Sequence, residues 1–519
     1  MRHLRRALIG ILAAVGLFLA YLRMARAVTV NSDGASNALQ AWDVFHGNVL
    51  LRGWTLSDVS FYPTELIQYG LIQIVTGLTT DQIHIAGALT WTLVVLAAAW
   101  LAASVALAPD APRWSRWVAA AVAVALLLVP APGVGYQTLL SSPNHTGSAV
   151  PLLLAWLLVD RARDRAWLPY AVAVVLAWGA MGDPLITFVG AVPLVAVTAL
   201  RALRARDLRG ADARLALAGI VSVLLSHGVL WLVERAGGFR APHPPIELSP
   251  VVQWPQRAQT VSRMVSILYG TSRPGIQSPW VEALLQAVRV PGLILAAAAL
   301  ALTVVAVLRG TADRVDAVLA AAIICDLVAE IVSTLPIDAL ATREIAPVLP
   351  MSAVLAARVT TRLLSAVSRV RMARAGLALL TVVLVAQLAA LVAYAPPRAE
   401  PIEGQEAADW LRGQGLRYGL GSYWVSNNIT VGTSRKVTVV PTLSGGGRLV
   451  GMCWQTHTDM YDATAHDARF VVLEKQRPMY GTPADVTAQY GPPVMRHDFN
   501  LYVIFVYDRN LLEGFTSTC

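Results

Sequence analysis

Charged residues are scarce in this chain of 519 residues. They make up 14% of it, against 56% hydrophobic residues, and the mean hydropathy is +0.56. Soluble proteins carry charge at about a quarter of their positions, so this composition excludes a water-soluble globule. Lysine is nearly absent as well, because Lys436 and Lys475 are the only lysines among 41 basic residues.

Several motifs are also missing. The sequence has no Walker motif, no nucleotide-binding glycine pattern and no paired Cys-x-x-Cys, so ATP-driven transport and a zinc site have no support. A net charge of +9 could suggest a nucleic-acid partner. The excess, however, lies in short arginine clusters between apolar runs, which is typical of the loops of membrane proteins. We therefore expect a lipid bilayer and no nucleic acid as partner.

Near-continuous apolar runs recur between residues 7 and 395. Many have the length of about 17–20 residues that a helix needs to cross a hydrocarbon core. Only Gly182-Asp183-Pro184 separates the fifth run from the sixth, so counts of ten or twelve spans stay open. The sequence predicts eleven spans, at 7–28, 82–108, 117–131, 147–159, 167–182, 184–200, 215–233, 290–308, 317–335, 346–360 and 375–395.

Arginine predicts the sidedness of these spans. The connections assigned to the inside total 62 residues and hold 20 arginines, whereas those assigned to the outside total 147 residues and hold 10. Positive residues favour the cytoplasmic side, so we expect a cytoplasmic N-terminus in the cell membrane. The basic start and first apolar run resemble a signal peptide, but no convincing cleavage site follows, and we interpret the run as a retained helix.

The predicted architecture is a polytopic α-helical membrane domain, residues 1–395, with external loops at 31–80 and 234–290. Residues 396–519 form a small extracytoplasmic α/β domain, since the composition becomes mixed polar after Pro396-Pro397. In this domain Glu406–Leu411 predicts a helix, and β-branched or aromatic runs predict strands at Lys436–Val440, Phe470–Leu473 and Leu501–Tyr507. Cys453 and Cys519 either form a disulfide or stay free thiols.

The first external loop holds the main catalytic candidate. Asp33 follows the first span directly, so its carboxylate is expected at the membrane surface, within reach of a lipid headgroup. If it is partly desolvated, its pKa rises and it can act as a general base. The alternative is that Ser32 or Asp33 only caps the helix that follows. Asp43 and Glu65 are further acidic candidates in this loop.

The early external Asp33 is followed by an amphipathic segment ending in His46-Gly47-Asn48, a Tyr62-Pro63 element and, later, an external C-terminal domain with Arg417–Trp424. In these features the chain has a resemblance to membrane glycosyltransferases of the GT-C fold. The resemblance implies a polyprenyl-phosphate-linked sugar donor, a cell-envelope acceptor and Asp33 as the base. Many members have a second acidic residue, either adjacent to the first or in a later external loop. Here Gly34 follows Asp33, so the need for a divalent cation stays open.

A leaving phosphate needs a cation or hydrogen-bond donors as its charge grows, and the planar fork of arginine suits this role. Arg343 resembles the position of an arginine in related transferases. It could instead anchor the interface or pair with Glu344 or Asp338. His145 and Asp183 are expected on the outer side, either as turn or cap residues or as members of the same cavity.

Asp326 and Glu330 lie four residues apart in the ninth predicted span and so share one helix face. An unpaired charge at mid-bilayer costs about 2.5–3.5 kcal/mol, so both should face the bundle or a wet cavity. They are either protonated or hydrogen-bonded, or they form a proton path in a secondary transporter or flippase. Beside a transferase and a transporter, a third hypothesis for the function of this chain is a non-catalytic envelope-binding protein. Matching halves typical of transporters are not found, which favours the transferase.

Overall fold

The structure is a computed structural model that describes residues 2–107, 112, 114–131, 133–162, 165–242, 247–272, 279–334, 338–366, 370–393 and 401–517. The chain up to residue 393 forms mainly α-helices. In chain order they are α1 (Arg2–Ala25), α2 (Ser32–Phe45), α3 (Glu65–Thr76), α4 (Asp81–Ala103), α5 (Ser115–Leu127), α6 (Val134–Leu140), α7 (Ala149–Arg161), α8 (Leu168–Gly182), α9 (Val192–Ala205), α10 (Ala211–Arg235), α11 (Trp254–Leu268), α12 (Pro279–Leu308), α13 (Arg314–Val332), α14 (Val348–Ala366) and α15 (Val370–Ala393).

Each of the eleven predicted spans coincides with one of these helices, and the predicted fold class is confirmed. The matching helices are α1, α4, α5, α7, α8, α9, α10, α12, α13, α14 and α15. Six stretches among the described residues are long and apolar enough to cross a membrane by themselves. They are Leu8–Ala25, Asp81–Ala103, Thr187–Ala205, Ala211–Arg235, Leu285–Leu308 and Ala375–Val392.

One predicted connection differs from the observed one. The segment 234–290 was expected to be a loop, but α11 lies inside it, and α12 begins at Pro279 and continues through Pro291. The prediction failed because polar residues such as Gln286 and Arg289, together with the two prolines, lower the apolar character of the first turns of α12. Helix α12 is therefore longer than the predicted span by eleven residues at its start.

The break between α8 and α9 positions part of the site. Helix α8 ends at Gly182, and Asp183 has an extended backbone (φ −142°, ψ 113°). Pro184 has no amide hydrogen and disfavours helix in the residue before it. The chain resumes with a π-helical turn at Thr187–Ala191. The carbonyl oxygen of Gly182 accepts a hydrogen bond of 2.8 Å from the amide of Phe61, so loop 31–80 packs on this break.

Arginine-rich connections meet at the opposite end of the bundle. The side chain of Arg358, which is fully buried, contacts Asp316 at 2.6 Å, Asp313 at 2.9 Å and Asp160 at 3.5 Å. Arg362 also pairs with Asp316. Such a network joins α7, α13 and α14, and breaking a buried pair of this kind is strongly destabilising because one charge is left uncompensated.

The C-terminal segment is an α/β unit, as predicted from its composition. Its helices are α16 (Gln405–Gly413), α17 (Tyr423–Gly432) and α18 (Pro483–Tyr490). The eight strands of the described chain, of which β1 precedes this segment, are β1 (Trp54–Thr55), β2 (Tyr418–Ser422), β3 (Thr438–Gly445), β4 (Arg448–Gly451), β5 (Thr456–His457), β6 (Phe470–Glu474), β7 (Met495–Asp498) and β8 (Tyr502–Val506).

Six strands form one mixed sheet in the order β4-β3-β2-β6-β8-β7. The central pairs β2–β3 and β2–β6 are parallel, and the outer pairs are antiparallel. The three predicted strands correspond to β3, β6 and β8, and the predicted helix corresponds to α16. Cys453 is disulfide-bonded, whereas Cys519 lies outside the described residues.

Loop 31–80 and the C-terminal unit share one hydrophobic core. Ala35 and Ala38 of α2 are fully buried in the same cluster as Val425 and Ile429 of α17. Strand β1 of the loop pairs with β5 of the C-terminal unit. The buried side chain of Gln455 adds polar contacts across this junction. The site described next lies where these two parts meet the end of the bundle.

Candidate functional site

A cavity of about 1250 Å³ lies between the end of the bundle and the C-terminal unit. Its walls come from separate parts of the chain: α2, loop 31–80, the connections before α7 and α14, and the C-terminal unit. Ligand pockets commonly occupy such junctions, with volumes of about 300–1,000 Å³. The ionisable side chains that line this cavity are Asp33, Asp58, Tyr136, His145, Arg343, Glu344, Glu403, Glu406, Glu474, Arg477 and Tyr502.

Asp33 faces this cavity and does not cap its own helix. The N-cap of α2 is Asn31, whose side-chain oxygen accepts a hydrogen bond of 3.1 Å from the amide of Gly34. The carboxylate of Asp33 is therefore free for another partner, and Oδ1 accepts a hydrogen bond from the hydroxyl of Tyr423. The cap role expected for Ser32 or Asp33 is thus taken by Asn31, and the role of Asp33 as a base stays a prediction.

Gly34 has a packing reason to be glycine. A Cβ placed there would lie 2.9 Å from the carbonyl oxygen of Ser142 and 3.1 Å from Cγ2 of Ile83. A second carboxylate directly after Asp33 therefore has no room in this structure.

The pKa of Asp33 is raised above its ordinary value. Burial is the main cause, and the hydrogen bond from Tyr423 and the charge of Arg343 act in the opposite direction. Tyr423 is itself buried, at 2% exposure, on the first turn of α17. The C-terminal unit thus supplies the group that holds the Asp33 carboxylate in place.

A chain of ion pairs lies on the bundle side of the cavity. The imidazole of His145 contacts two carboxylates, with Nδ1 at 2.7 Å from Asp183 Oδ2 and Nε2 at 2.8 Å from Glu344 Oε2. Glu344 Oε1 in turn accepts a hydrogen bond of 3.1 Å from Nε of Arg343. Ser148 also donates to Asp183. The structure thus links Asp183, His145 and Arg343 through this chain of contacts. His145 and Arg343 line the cavity, whereas Asp183 does not, and its Oδ1 accepts a turn hydrogen bond of 3.0 Å from the amide of Leu185.

This network carries fixed charges. Burial alone would lower the pKa of His145, but Asp183 and Glu344 outweigh it and hold the pKa well above its ordinary value. Burial would likewise raise the pKa of Glu344, yet His145 and Arg343 lower it to about 2. His145 is therefore a cation and Glu344 an anion at neutral pH. Together they fix the position of the Arg343 side chain.

Arg343 ends a short 3-10 helix at Ala339–Arg343, and 54% of its side chain is exposed. Among the residues that the structure describes, Glu344 holds the guanidinium at Nε, and the rest of the group lies open to the cavity. Burial lowers the pKa of Arg343, while Glu344 and Asp33 raise it more strongly, so the net direction is upward. A permanent cation therefore lies close enough to Asp33 for the two charges to interact.

Asp58 also lines the cavity and was missed by the sequence analysis. Burial raises its pKa, and His145 acts in the opposite direction. Its charge interacts with that of Asp33, so a second carboxylate is present although it is remote from Asp33 in sequence. The only signal in the sequence is its place in loop 31–80.

Among the described residues, no group of three His, Cys, Asp or Glu side chains could hold a metal ion.

The remaining candidates do not line the cavity. Asp43 Oδ2 accepts a hydrogen bond of 2.9 Å from the indole of Trp54, which is a structural contact. Glu65 is buried with its carboxylate against Gly147, and burial raises its pKa to about 7. It therefore packs behind the turn that carries His145.

Asp326 and Glu330 face the interior of the bundle on α13, at 1% and 2% exposure. Both carboxylate oxygens of Asp326 and Oε2 of Glu330 make no hydrogen bond with a described residue. Neither side chain belongs to the cavity lining.

A helical membrane bundle whose end holds a polar cavity, closed by a C-terminal α/β unit, defines a polytopic membrane protein of the GT-C fold. The crystal structure of ArnT from Cupriavidus metallidurans in the apo state has the same fold. The two structures superpose with a TM-score of 0.57 over 98% of this chain and 99% of that chain, at 13% sequence identity. Identity this low shows the fold alone. No protein-family model matches the chain, and no curated protein matches it.

Proposed function

We propose that this protein is a membrane glycosyltransferase that moves a sugar from a polyprenyl-phosphate-linked donor to a cell-envelope acceptor, with Asp33 as the general base. The observation that carries the proposal is the position of Asp33, which faces the cavity and leaves the helix cap to Asn31. The fold shared with the GT-C glycosyltransferase ArnT supports the same reaction class.

In the proposed reaction an acceptor hydroxyl attacks the anomeric carbon of the donor sugar. A bond forms between that oxygen and the carbon, and the bond from the carbon to the phosphate oxygen breaks. The acceptor proton passes to the carboxylate of Asp33, and the polyprenyl phosphate leaves with the electron pair. A carboxylate with a raised pKa is a stronger base than an ordinary one, so partial burial suits Asp33 to this step.

The departing phosphate gains negative charge, and Arg343 is proposed to stabilise it. Its guanidinium lies open to the cavity, and the Glu344–His145–Asp183 chain holds its Nε side in place. A preorganised cation costs no rearrangement when charge develops. In this scheme His145, Asp183 and Glu344 position Arg343 and do not touch the substrate phosphate themselves.

We place the cavity on the outer face of the cell membrane, with the N-terminus in the cytoplasm. The arginine-rich connections support this orientation, because they meet at the end of the bundle opposite to the cavity. A reporter fused after residue 519 should then read extracytoplasmic. A cytoplasmic reading would contradict the proposed sidedness.

The reaction is tested with purified protein in lipid and a panel of polyprenyl-phosphate sugars. Asp33→Asn should lower kcat about 100- to 10,000-fold, since this is the usual contribution of a general base. Asp43→Asn is the matched control, because Asp43 lies on the same helix but binds Trp54 away from the cavity. Near-normal turnover of Asp33→Asn with a donor that the unaltered protein uses would refute the role of Asp33.

A second candidate function is secondary transport, which the buried carboxylates of Asp326 and Glu330 favour. Intramembrane carboxylates without hydrogen-bond partners occur in proton paths. Substrate-driven proton uptake into liposomes that is lost in Asp326→Asn would support this alternative. Sugar transfer by the unaltered protein without any proton uptake, at a rate that Asp326→Asn leaves unchanged, would contradict it.

A further inference from the structure

One wall of the cavity comes from the C-terminal unit alone. We call it the Trp424 wall and define it by Glu403, Trp424, Trp454, Glu474 and Arg477, all of which line the cavity. Trp424 and Trp454 are both partly exposed. Aromatic side chains in a wet cavity present a large apolar face at the cost of little conformational freedom. The wall therefore offers flat binding surfaces on a rigid domain.

Arg477 fixes this wall without being free to bind an anion. Its guanidinium lies 5.0 Å from the centre of the Trp424 ring. Its nitrogens contact Glu474 Oε2 at 3.1 Å and Glu403 Oε1 at 3.7 Å. The cation is thus engaged by one ring and two carboxylates, and it holds the indole in one orientation.

The charge of the wall excludes one class of ligand. Two carboxylates of the wall, those of Glu403 and Glu474, stand against the single cation Arg477, and the carboxylate of Glu406 lines the cavity as well. An anionic group would be repelled here, whereas it would be attracted to Arg343 on the bundle side. An open guanidinium, that of Arg343, thus lies on the bundle side, whereas the guanidinium of Arg477 in the Trp424 wall is engaged by the carboxylates of that wall.

Indole faces next to carboxylate and amide oxygens form a surface that suits a sugar ring. The C–H face of the ring packs on the aromatic plane, and the hydroxyls donate to the acceptors around it. Glu403 Oε2 makes no hydrogen bond with a described residue, and the amides of Gln405 and Gln476 also line this side. The volume of about 1250 Å³ exceeds that of an ordinary single-ligand pocket, which leaves room for a second substrate beside the donor.

From these observations we infer that the Trp424 wall is the acceptor subsite and that the acceptor is a neutral carbohydrate chain. The inference rests on the proposed function, since it assumes that the cavity holds a donor as well. It adds the chemical class of the acceptor, and it excludes a phosphorylated or otherwise anionic acceptor group at this wall.

Binding is tested on the full chain in detergent, without any lipid donor, by isothermal titration with short neutral arabino-, manno- and gluco-oligosaccharides. At least one of them should bind saturably. Trp424→Ala should raise its Kd about three- to tenfold, the usual effect of losing one aromatic contact. Trp424→Phe, which keeps an aromatic face, should stay close to the unaltered protein. Trp410→Ala is the control, because Trp410 stacks on His497 on the surface of α16 and does not line the cavity.

Three outcomes would overturn the inference. They are no saturable binding of any neutral oligosaccharide, equal affinity of Trp424→Ala and the unaltered protein, and tighter binding of phosphorylated oligosaccharides that also depends on Trp424. Because no donor is present, the result is independent of the chemistry of Asp33. If no oligosaccharide binds and Asp33→Asn is inactive, the acceptor subsite is overturned and the proposed base is not. If an oligosaccharide binds and Asp33→Asn is active, the proposed base is overturned and the acceptor subsite is not.

Discussion

Replacing Tyr423 with Phe removes the hydroxyl that donates to Asp33 Oδ1 and leaves the buried ring in place. The hydrogen bond favours the ionised carboxylate, so its loss raises the pKa of Asp33. A base must be ionised to accept a proton, and activity is therefore lost as pH falls through the pKa of Asp33. Tyr423→Phe should move this acidic limb toward higher pH.

The expected size of this pH shift follows from the strength of the hydrogen bond between Tyr423 and Asp33. A hydrogen bond to a charged group contributes about 1.5–3 kcal/mol, and 1.36 kcal/mol corresponds to about a tenfold change in proton affinity. The acidic limb of kcat/KM should therefore move by about one pH unit or more. At a pH well above the limb, kcat of Tyr423→Phe should approach that of the unaltered protein.

The assay is the pH profile of kcat/KM for sugar transfer by purified protein in lipid. Tyr418→Phe is the control, because its hydroxyl donates to the carbonyl of Met460, away from the cavity. An acidic limb that stays in place in Tyr423→Phe, or that moves to lower pH, would refute the reasoning. The same shift in Tyr418→Phe would point to a general effect on the domain.

Three further predictions concern the ion pairs. Arg343→Ala should lower kcat about 100- to 1,000-fold at a saturating concentration of the sugar donor, as removal of one stabilising hydrogen-bond donor does elsewhere. Arg343→Lys should recover only part of this activity, because the planar fork of arginine is lost. Equal rates for the two variants and the unaltered protein would exclude a role for Arg343. Since the pKa of His145 is raised on folding, its charge stabilises the fold below its ordinary pKa, and this stability is lost as pH rises through the higher folded value. The melting temperature of His145→Gln should therefore fall less between neutral and alkaline pH than that of the unaltered protein, and parallel curves would contradict this. Arg358→Leu should destabilise the bundle by about 3–5 kcal/mol, measured as a lower melting temperature in detergent, and an unchanged value would show that Arg362 alone compensates the charge of Asp316.

Much of the fold could be predicted because lipid imposes a simple rule on sequence. Apolar length gave the positions of α1, α4 and the other spanning helices, and Pro184 located the break after α8. Boundaries were less accurate where a helix leaves the apolar layer, as at the start of α12, since polar first turns look like loop. Alternating β-branched residues located β3, β6 and β8, because this pattern is also visible within a short stretch of sequence.

The site was only partly predictable because it is assembled from distant segments. Asp33 was identified from its place after the first span, and His145, Asp183 and Arg343 from their places in outer connections. Nothing local distinguishes Asp58 or Tyr423, whose roles come from what they face across the cavity. Asp43 was predicted in the same loop as Asp33, but it lies near the C-terminal end of α2, where it binds Trp54.

The shared core of α2 and α17 has a consequence for the modularity of proteins with this fold. The residue proposed to take the proton and the one that orients it belong to two segments almost 400 positions apart, and each completes the packing of the other. Swapping the last 120 or so residues between distant relatives would therefore disturb reactivity and partner choice at once. Chimeras of this kind should be inactive unless the helix after the first span is exchanged along with the tail.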